Sequence, residues 1–256
     1  MSNKPPIEVP QGAIRLNTDS QKLEFYAQDR WYEMATDVPT LDGGVRGLFG
    51  GGEAGANNES DRIDFITIST QGDATDFGNL SASRSHLGGC ADRTRGLFMG
   101  GATPSQVTPI DFITISTFGN AQDFGDRTQS GEGGHFASRT RAVCGGASAP
   151  TYVNTVDFVT MSSTGNATDF GDKTTLNARA SGCSNATRGM FAGGFKAPAA
   201  SDVIDFCTIA TTGNFVDFGN LVGNREAPAG NVNSCLLYTS DAADEGLGVD
   251  LGGRRI

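Results

Sequence analysis

Histidine occurs twice and tryptophan once in 256 residues, so an imidazole-rich metal centre has almost nothing to build on. The five cysteines show no Cys-x-x-Cys or Cys/His ligand spacing, which excludes zinc-ribbon and dithiol redox readings. Basic residues are scarce: 19 Lys and Arg stand against 29 Asp and Glu, for a formal net charge of −10. A nucleic-acid binder needs a basic face, and none can be assembled here. No run of 18 apolar residues exists, so no helix is expected to cross a membrane. The opening "MSNKPPIEVPQG" lacks the apolar stretch of a secretory signal peptide. The expectation is a chain with no cofactor, no metal, no nucleic acid partner and no membrane insertion.

Glycine is abundant instead, at 36 residues, and it falls in a repeat. "IDFITISTQGDATDFG" from Ile63 returns as "IDFITISTFGNAQDFG" from Ile110, "VDFVTMSSTGNATDFG" from Val156 and "IDFCTIATTGNFVDFG" from Ile204. The leading aspartates, Asp64, Asp111, Asp157 and Asp205, are 47, 46 and 48 residues apart. A second segment repeats with them: "RGLFGGG" at Arg46, "RGLFMGG" at Arg95, "RAVCGGA" at Arg141 and "RGMFAGG" at Arg188. Periods of this size indicate solenoids or propellers.

Each unit reads as four short strands. "RGLF" is apolar and stops at a glycine pair. "IDFITIST" alternates but is apolar on both faces, Ile63 and Phe65 one way, Ile66 and Ile68 the other, as a sheet with a neighbour on each side requires. A Gly-Asn or Gly-Asp turn suited to a hairpin follows. "TDFG" makes the third strand, anchored by Phe77, Phe124, Phe170 and Phe218. A stretch of small residues such as "SRSHLGGCAD" leads back to the arginine. No 3.6-residue apolar period appears in the repeats, so helix is not expected.

Asp-Phe-Gly also holds magnesium in protein kinases, but a catalytic motif is needed once and this one occurs four times. There is no His-Arg-Asp loop and no Val-Ala-Ile-Lys strand. The expected role is structural, with the Phe buried and the Gly in a tight turn. The aspartates of the longer motif are expected to cap turns. "GLFGGGEAGA" lacks the Gly-Lys-Ser/Thr of a phosphate loop. "NNESDRID" lacks the glycine spacing of a calcium loop. His86 and His135 lie nine and six residues before the next repeated arginine, out of register, and are read as surface or strand-edge residues. Cys90, Cys144, Cys183 and Cys207 fall at strand positions where a thiol serves as a small hydrophobe.

A four-stranded meander repeated with both faces apolar is the pattern of a propeller blade. These residues resemble the kelch family. The match lies in the double glycines Gly51-Gly52, Gly100-Gly101, Gly145-Gly146 and Gly193-Gly194, the aromatic positions, and a later arginine (Arg84, Arg139, Arg179, Arg225). The chain departs from kelch repeats in carrying Phe where they carry Tyr and Trp. The resemblance covers about residues 45–225 and implies an all-β, kelch-like β-propeller of four visible four-stranded repeats, truncated, spanning 41–234.

Residues 1–40 differ. "GAIRLNTDSQKLEFYAQDRWYEM" reads as a three-stranded meander with turns at "TDSQ" and "AQDR" and a cluster of Phe25, Tyr26, Trp31 and Tyr32. It resembles the small β-meander of bacteriophage tail-fibre and virion proteins, which is joined in phage adhesins to glycine-rich repeats of this kind. Residues 235–256, "CLLYTSDAADEGLGVDLGGRRI", share no pattern with the rest and resemble a translated sequencing adapter. They are expected to be unstructured, with the natural gene continuing past Ser234.

The phage resemblance implies a non-enzymatic virion protein made in the host cytoplasm. Its partners would be a host-surface glycan or protein, other virion proteins, and further copies of itself in a fibre. An intracellular kelch-type scaffold and a propeller enzyme acting on glycans are the alternatives. Among the repeats, the loop after the glycine pair varies most, and variable polar loops on a repeated scaffold are where recognition usually lives. Asn57, Asn58, Tyr152, Phe195 and Lys196 are the candidate contacts, because aromatic and amide groups suit sugar faces and hydroxyls.

Overall fold

The computed structural model describes residues 9–17, 22–28, 30–33, 46–55 and 58–230. The adapter-like segment 235–256, Asn57 and the "TDSQ" turn lie outside these residues. The chain divides into two compact units, Met1–Leu41 and Asp42–Ile256. Every regular element among the described residues is a β-strand, and every pairing is antiparallel.

The first unit is a three-stranded sheet of β1 (Ile14–Asn17), β2 (Lys22–Ala27) and β3 (Arg30–Glu33). Its aromatic residues form two pairs, not one cluster. Phe25 stacks on Tyr32 with ring centres 5.5 Å apart, and Tyr26 meets Trp31 edge-on at 5.3 Å. Neighbours along a strand point to opposite faces, so the two pairs are separated by the sheet itself. The guanidinium of Arg15 lies 4.1 Å from the Trp31 ring centre and donates to Glu24 at 2.7 Å.

The second unit is a stack of sheets, one per repeat. The first holds β4 (Arg46–Gly50), β5 (Arg62–Thr67) and β6 (Thr75–Asn79). The second holds β7 (Gly88–Ala91), β8 (Arg95–Met99), β11 (Pro109–Thr114) and β12 (Gln122–Asp126), with β9 (Ala102–Thr103) and β10 (Ser105–Gln106) as a small ribbon in the β8–β11 loop. The third is β13 (Gly134–Ala137), β14 (Arg141–Ala147), β15 (Val153–Thr160) and β16 (Thr168–Asp172). The fourth is β17 (Ser181–Ser184), β18 (Arg188–Ala192), β19 (Phe195–Lys196), β20 (Ala199–Thr208) and β21 (Val216–Arg225). The expected all-β, antiparallel organisation is present, but no sheet closes on itself, and among the described residues the first sheet has three strands where the sequence predicts four.

Apolar residues on both faces of each central strand build three cores, one between each successive pair of sheets. Ile63, Phe77 and Leu80 meet Phe98 and Ile113. Leu97, Met99, Phe112 and Phe124 meet Cys144, Val159 and Met161. Phe136, Val156 and Phe170 meet Phe191, Cys207 and Ile209. The four cysteines among the described residues are unpaired; Cys144 and Cys207 are buried, and Cys90 and Cys183 are half-buried. Burial first, then the charge of Asp92, pushes the Cys90 thiol up to about 12, which leaves it protonated and inert.

The same polar contacts recur at each of the three junctions. The strand arginines Arg46, Arg95 and Arg141 donate to the carbonyls of Ile115, Met161 and Ile209 in the next sheet. The Gly-Asn turns clip onto the preceding outer strand. Gly119, Gly165 and Gly213 donate their N–H to the carbonyls of Phe77, Phe124 and Phe170. The side-chain oxygens of Asn120, Asn166 and Asn214 accept from the backbone of Asn79, Asp126 and Asp172.

Several expectations change. The Asp-Phe-Gly glycines are not in tight turns. Gly78, Gly125 and Gly171 sit within β6, β12 and β16 beside a bulge, and a Cβ on any of them would fall about 2.5 Å or less from the neighbouring turn. Phe77, Phe124 and Phe170 are buried against the next sheet, whereas Phe218 is exposed, with no sheet packed on it among the described residues. The third glycine pair is out of register: Gly146 (φ +77) takes the place of Gly100 (φ +63), Ala147 that of Gly101, and Gly145 lies one residue earlier in β14. The pairs Gly51-Gly52, Gly100-Gly101 and Gly193-Gly194 all have positive φ, as a backbone reversal without a Cβ allows.

Candidate functional site

The repeated aspartates are the first residues to test as catalytic carboxylates. Asp111, Asp157 and Asp205 are buried. Each accepts from the backbone N–H and hydroxyl of a residue leaving the previous sheet: Ser81 at 3.0 and 2.7 Å, Thr128 at 2.7 and 2.9 Å, Thr174 at 3.2 and 2.5 Å. They do not cap their own turns, because their carboxylates are aimed across the junction. A buried cation pairs with the first two aspartates, and a buried lysine lies near the third. Arg84 pairs with Asp111 at 2.6 Å and also donates to the carbonyls of Gly100 and Pro109. Arg127 lies 3.6 Å from Asp157 and donates to Gly131 and Gly146. Lys173 donates to Asn177 and feels the charge of Asp205; burial, only partly offset by that charge, lowers its pKa to about 8. The carboxylates are thus spent on holding sheets together, one per junction, and do not converge.

His135 and Cys144 form a pair the sequence did not suggest, with Nε2 and Sγ 3.0 Å apart. It has the composition of a thiol-imidazole dyad and the opposite electrostatics. Burial, then the charge of Arg127, lowers the His135 pKa to about 3, and burial raises that of Cys144. A nucleophilic cysteine needs a stabilised thiolate. Here both partners are held neutral, and the contact is packing. His135 is half-buried on β13, its ring filling space left by Gly88.

One end of the stack gathers the remaining polar groups. Short bridges join Ser85 to Ala102, Ser130 to Ala149 and Ala178 to Phe195. They set the start of each lead-in strand beside the loop that follows each glycine turn. Adjacent loops touch: Gln106 donates to Ser148 at 2.6 Å, and Tyr152 meets Phe195 edge-on with ring centres 6.2 Å apart. Lys196 follows, exposed, in the two-residue strand β19. Of the candidate contacts, Tyr152, Phe195 and Lys196 therefore share one patch. Asn58 stays in the first repeat's loop, where its backbone closes a turn with Ala54 and Gly55.

Beside these loops lies an open cleft of about 630 Å³, lined by His86, Glu132, His135, Arg179 and Glu226 among others. His86, Glu132 and Arg179 each stand nine residues before a strand arginine. Arg179 bridges Glu132 and Glu226 through short hydrogen bonds, and His86 Nδ1 lies 3.8 Å from Glu132. Hydrogen bonding to Glu132, then Glu226, binds the Arg179 proton more tightly than usual. The backbone is linked as well, Ala227 N–H to Arg179 O at 3.0 Å. This row joins unlike residues from successive repeats.

The arginines matched to the kelch pattern do not share a position. Arg84 is a buried latch, Arg179 lines the cleft, and Arg139 and Arg225 are exposed. Among the described residues, no three His, Cys, Asp or Glu are grouped to hold a metal ion. No protein-family model and no curated protein matches the chain.

Proposed function

We propose that this chain is a non-enzymatic recognition protein whose four sheets are blades of a kelch-like β-propeller. Its binding face is the end that carries the cleft and the loops. The resemblance of the first 40 residues to phage fibre meanders is what supports a place in the virion, with a host-surface glycan or protein as the proposed ligand and other virion proteins as the proposed neighbours. The observation that carries the binding reading is the meeting of Tyr152 and Phe195. Two loops that differ between repeats bring an edge-to-face aromatic pair together beside Lys196, on a framework latched at every junction. Aromatic faces stack on sugar rings, and the exposed amine and the carboxylates of the cleft suit hydroxyls. The spending of Asp111, Asp157 and Asp205 on junctions supports binding over hydrolysis.

The test is a glycan array and binding to bacterial cell surfaces, with a Tyr152→Ala/Phe195→Ala variant of unchanged thermal unfolding. Binding that drops about tenfold or more in the variant is expected, since each anchor aromatic at an interface is worth about 2 kcal/mol. Binding to a ligand with the double variant unimpaired would sink this site, and turnover of a glycan would sink the non-enzymatic reading.

A further inference from the structure

We infer that the outward faces of the first and fourth sheets bind each other between copies of this chain, head to tail. The reason is that the chain contains the same junction three times, and each end face is one half of it. Toward a following sheet, every junction presents an arginine, the backbone around an outer-strand Phe, and a residue that meets an aspartate. The fourth sheet presents Arg188, the backbone of Phe218–Asn220, and Val222 at the position where Ser81, Thr128 and Thr174 stand elsewhere. Arg225 is seven residues past its Phe, as Arg84 is, and has no side-chain partner among the described residues. Toward a preceding sheet, every junction presents a latch aspartate and a Gly-Asn turn. The first sheet presents Asp64 and the turn Gly72-Asp73-Ala74, neither engaged among the described residues. Asp73 keeps the side-chain oxygen by which Asn120, Asn166 and Asn214 accept.

The apolar surfaces agree. Ile68 is 64% exposed where its counterparts Ile115, Met161 and Ile209 are 5%, 1% and 2%. Phe49 is 60% exposed where Phe98 and Phe191 are 7% and 2%. On the other end, Phe218 is 56% exposed and Val222 fully so. Strand β4 also lacks, among the described residues, the lead-in partner that β8, β14 and β18 have. These faces are complementary in charge and hydrogen bonding but each is not complementary to itself, which makes the contact heterologous. Two copies joined at both ends would set eight sheets around one axis, within the range of closed propellers.

Sedimentation velocity of the full chain over a concentration series tests this. The wild type is expected to associate. Asp64→Arg and Arg225→Asp, each placing like charges at the contact, are each expected to weaken association by about tenfold or more. Their equimolar mixture is expected to regain it, because each supplies the other's missing half. Val222→Asp, at a fully exposed position outside the three cores, is expected to act like Arg225→Asp. A wild type that stays monomeric throughout, or association indifferent to Arg225→Asp and Val222→Asp, would overturn the inference.

Discussion

Gly100 and Gly101 illustrate how a single residue serves the repeat. Their φ angles are +63° and +98°, and a Cβ on them would meet Gly131 O at 2.7 Å and Ser85 O at 2.5 Å. Backbone cannot step aside as a side chain can, so both conformation and space require glycine. Replacing both by Val is expected to cost about 1–3 kcal/mol per site from strain alone, with the clash added, and to lower the thermal midpoint clearly. Gly72 is the control: it has open space and no positive φ, and Ala there is expected to leave the midpoint nearly unchanged. An unchanged midpoint for the double Val variant would remove this account. The glycine pairs were legible in the sequence, but the third was read one residue early. Three glycine-like residues in a row, Gly145-Gly146-Ala147, admit two registers, and only the positive φ at Gly146 chooses between them.

At the scale of the element, the unit of stability is the junction, not the isolated sheet. Asp111 and Asp64 occupy the same place in their repeats and provide the contrast. Asp111 is buried against Arg84 and Ser81. Asp111→Asn leaves Arg84 buried without a counter-charge, a loss of about 3–5 kcal/mol by the usual cost of breaking such pairs. Asp64→Asn removes no latch in the isolated chain and is expected to stay within about 0.5 kcal/mol. Denaturant midpoints of the two variants at low protein concentration measure this directly, and equal effects would sink the latch. The strands were legible because apolar residues on both faces of "IDFITIST" leave few alternatives to a sandwiched sheet. The latches were not. Arg84 reaches its aspartate from seven residues past the outer-strand Phe, while Arg127, three residues past it, comes within 3.6 Å of its own, so alignment hides a charge that geometry restores. The cleft was hidden for a related reason. An ion-paired row needs unlike residues at equivalent positions, and a search for repeats finds like ones.

For the molecule as a whole, the energetics are those of a one-dimensional stack, in which each sheet is stabilised by its neighbours. Among the described residues, the second and third sheets are covered on both faces and the first and fourth on one. Exposed Phe49, Ile68, Phe218 and Val222 measure what the ends forgo. Burying a side chain of that kind is worth about 1.5–3 kcal/mol, against a net domain stability of only about 5–15 kcal/mol, so the ends should open well before the middle. Native-state hydrogen exchange in dilute solution is therefore expected to be slowest in β8, β11, β14 and β15 and fastest in β4, β5, β6 and β21. Concentrating the protein is expected to slow the amides of Gly72–Ala74 and Asn220, the backbone that the other three junctions pair, and to leave the central strands as they were. A ring closed within one chain gives every sheet two neighbours. It would level protection across all four sheets and remove the dependence on concentration, and that pattern would show the stack to be a four-bladed propeller on its own.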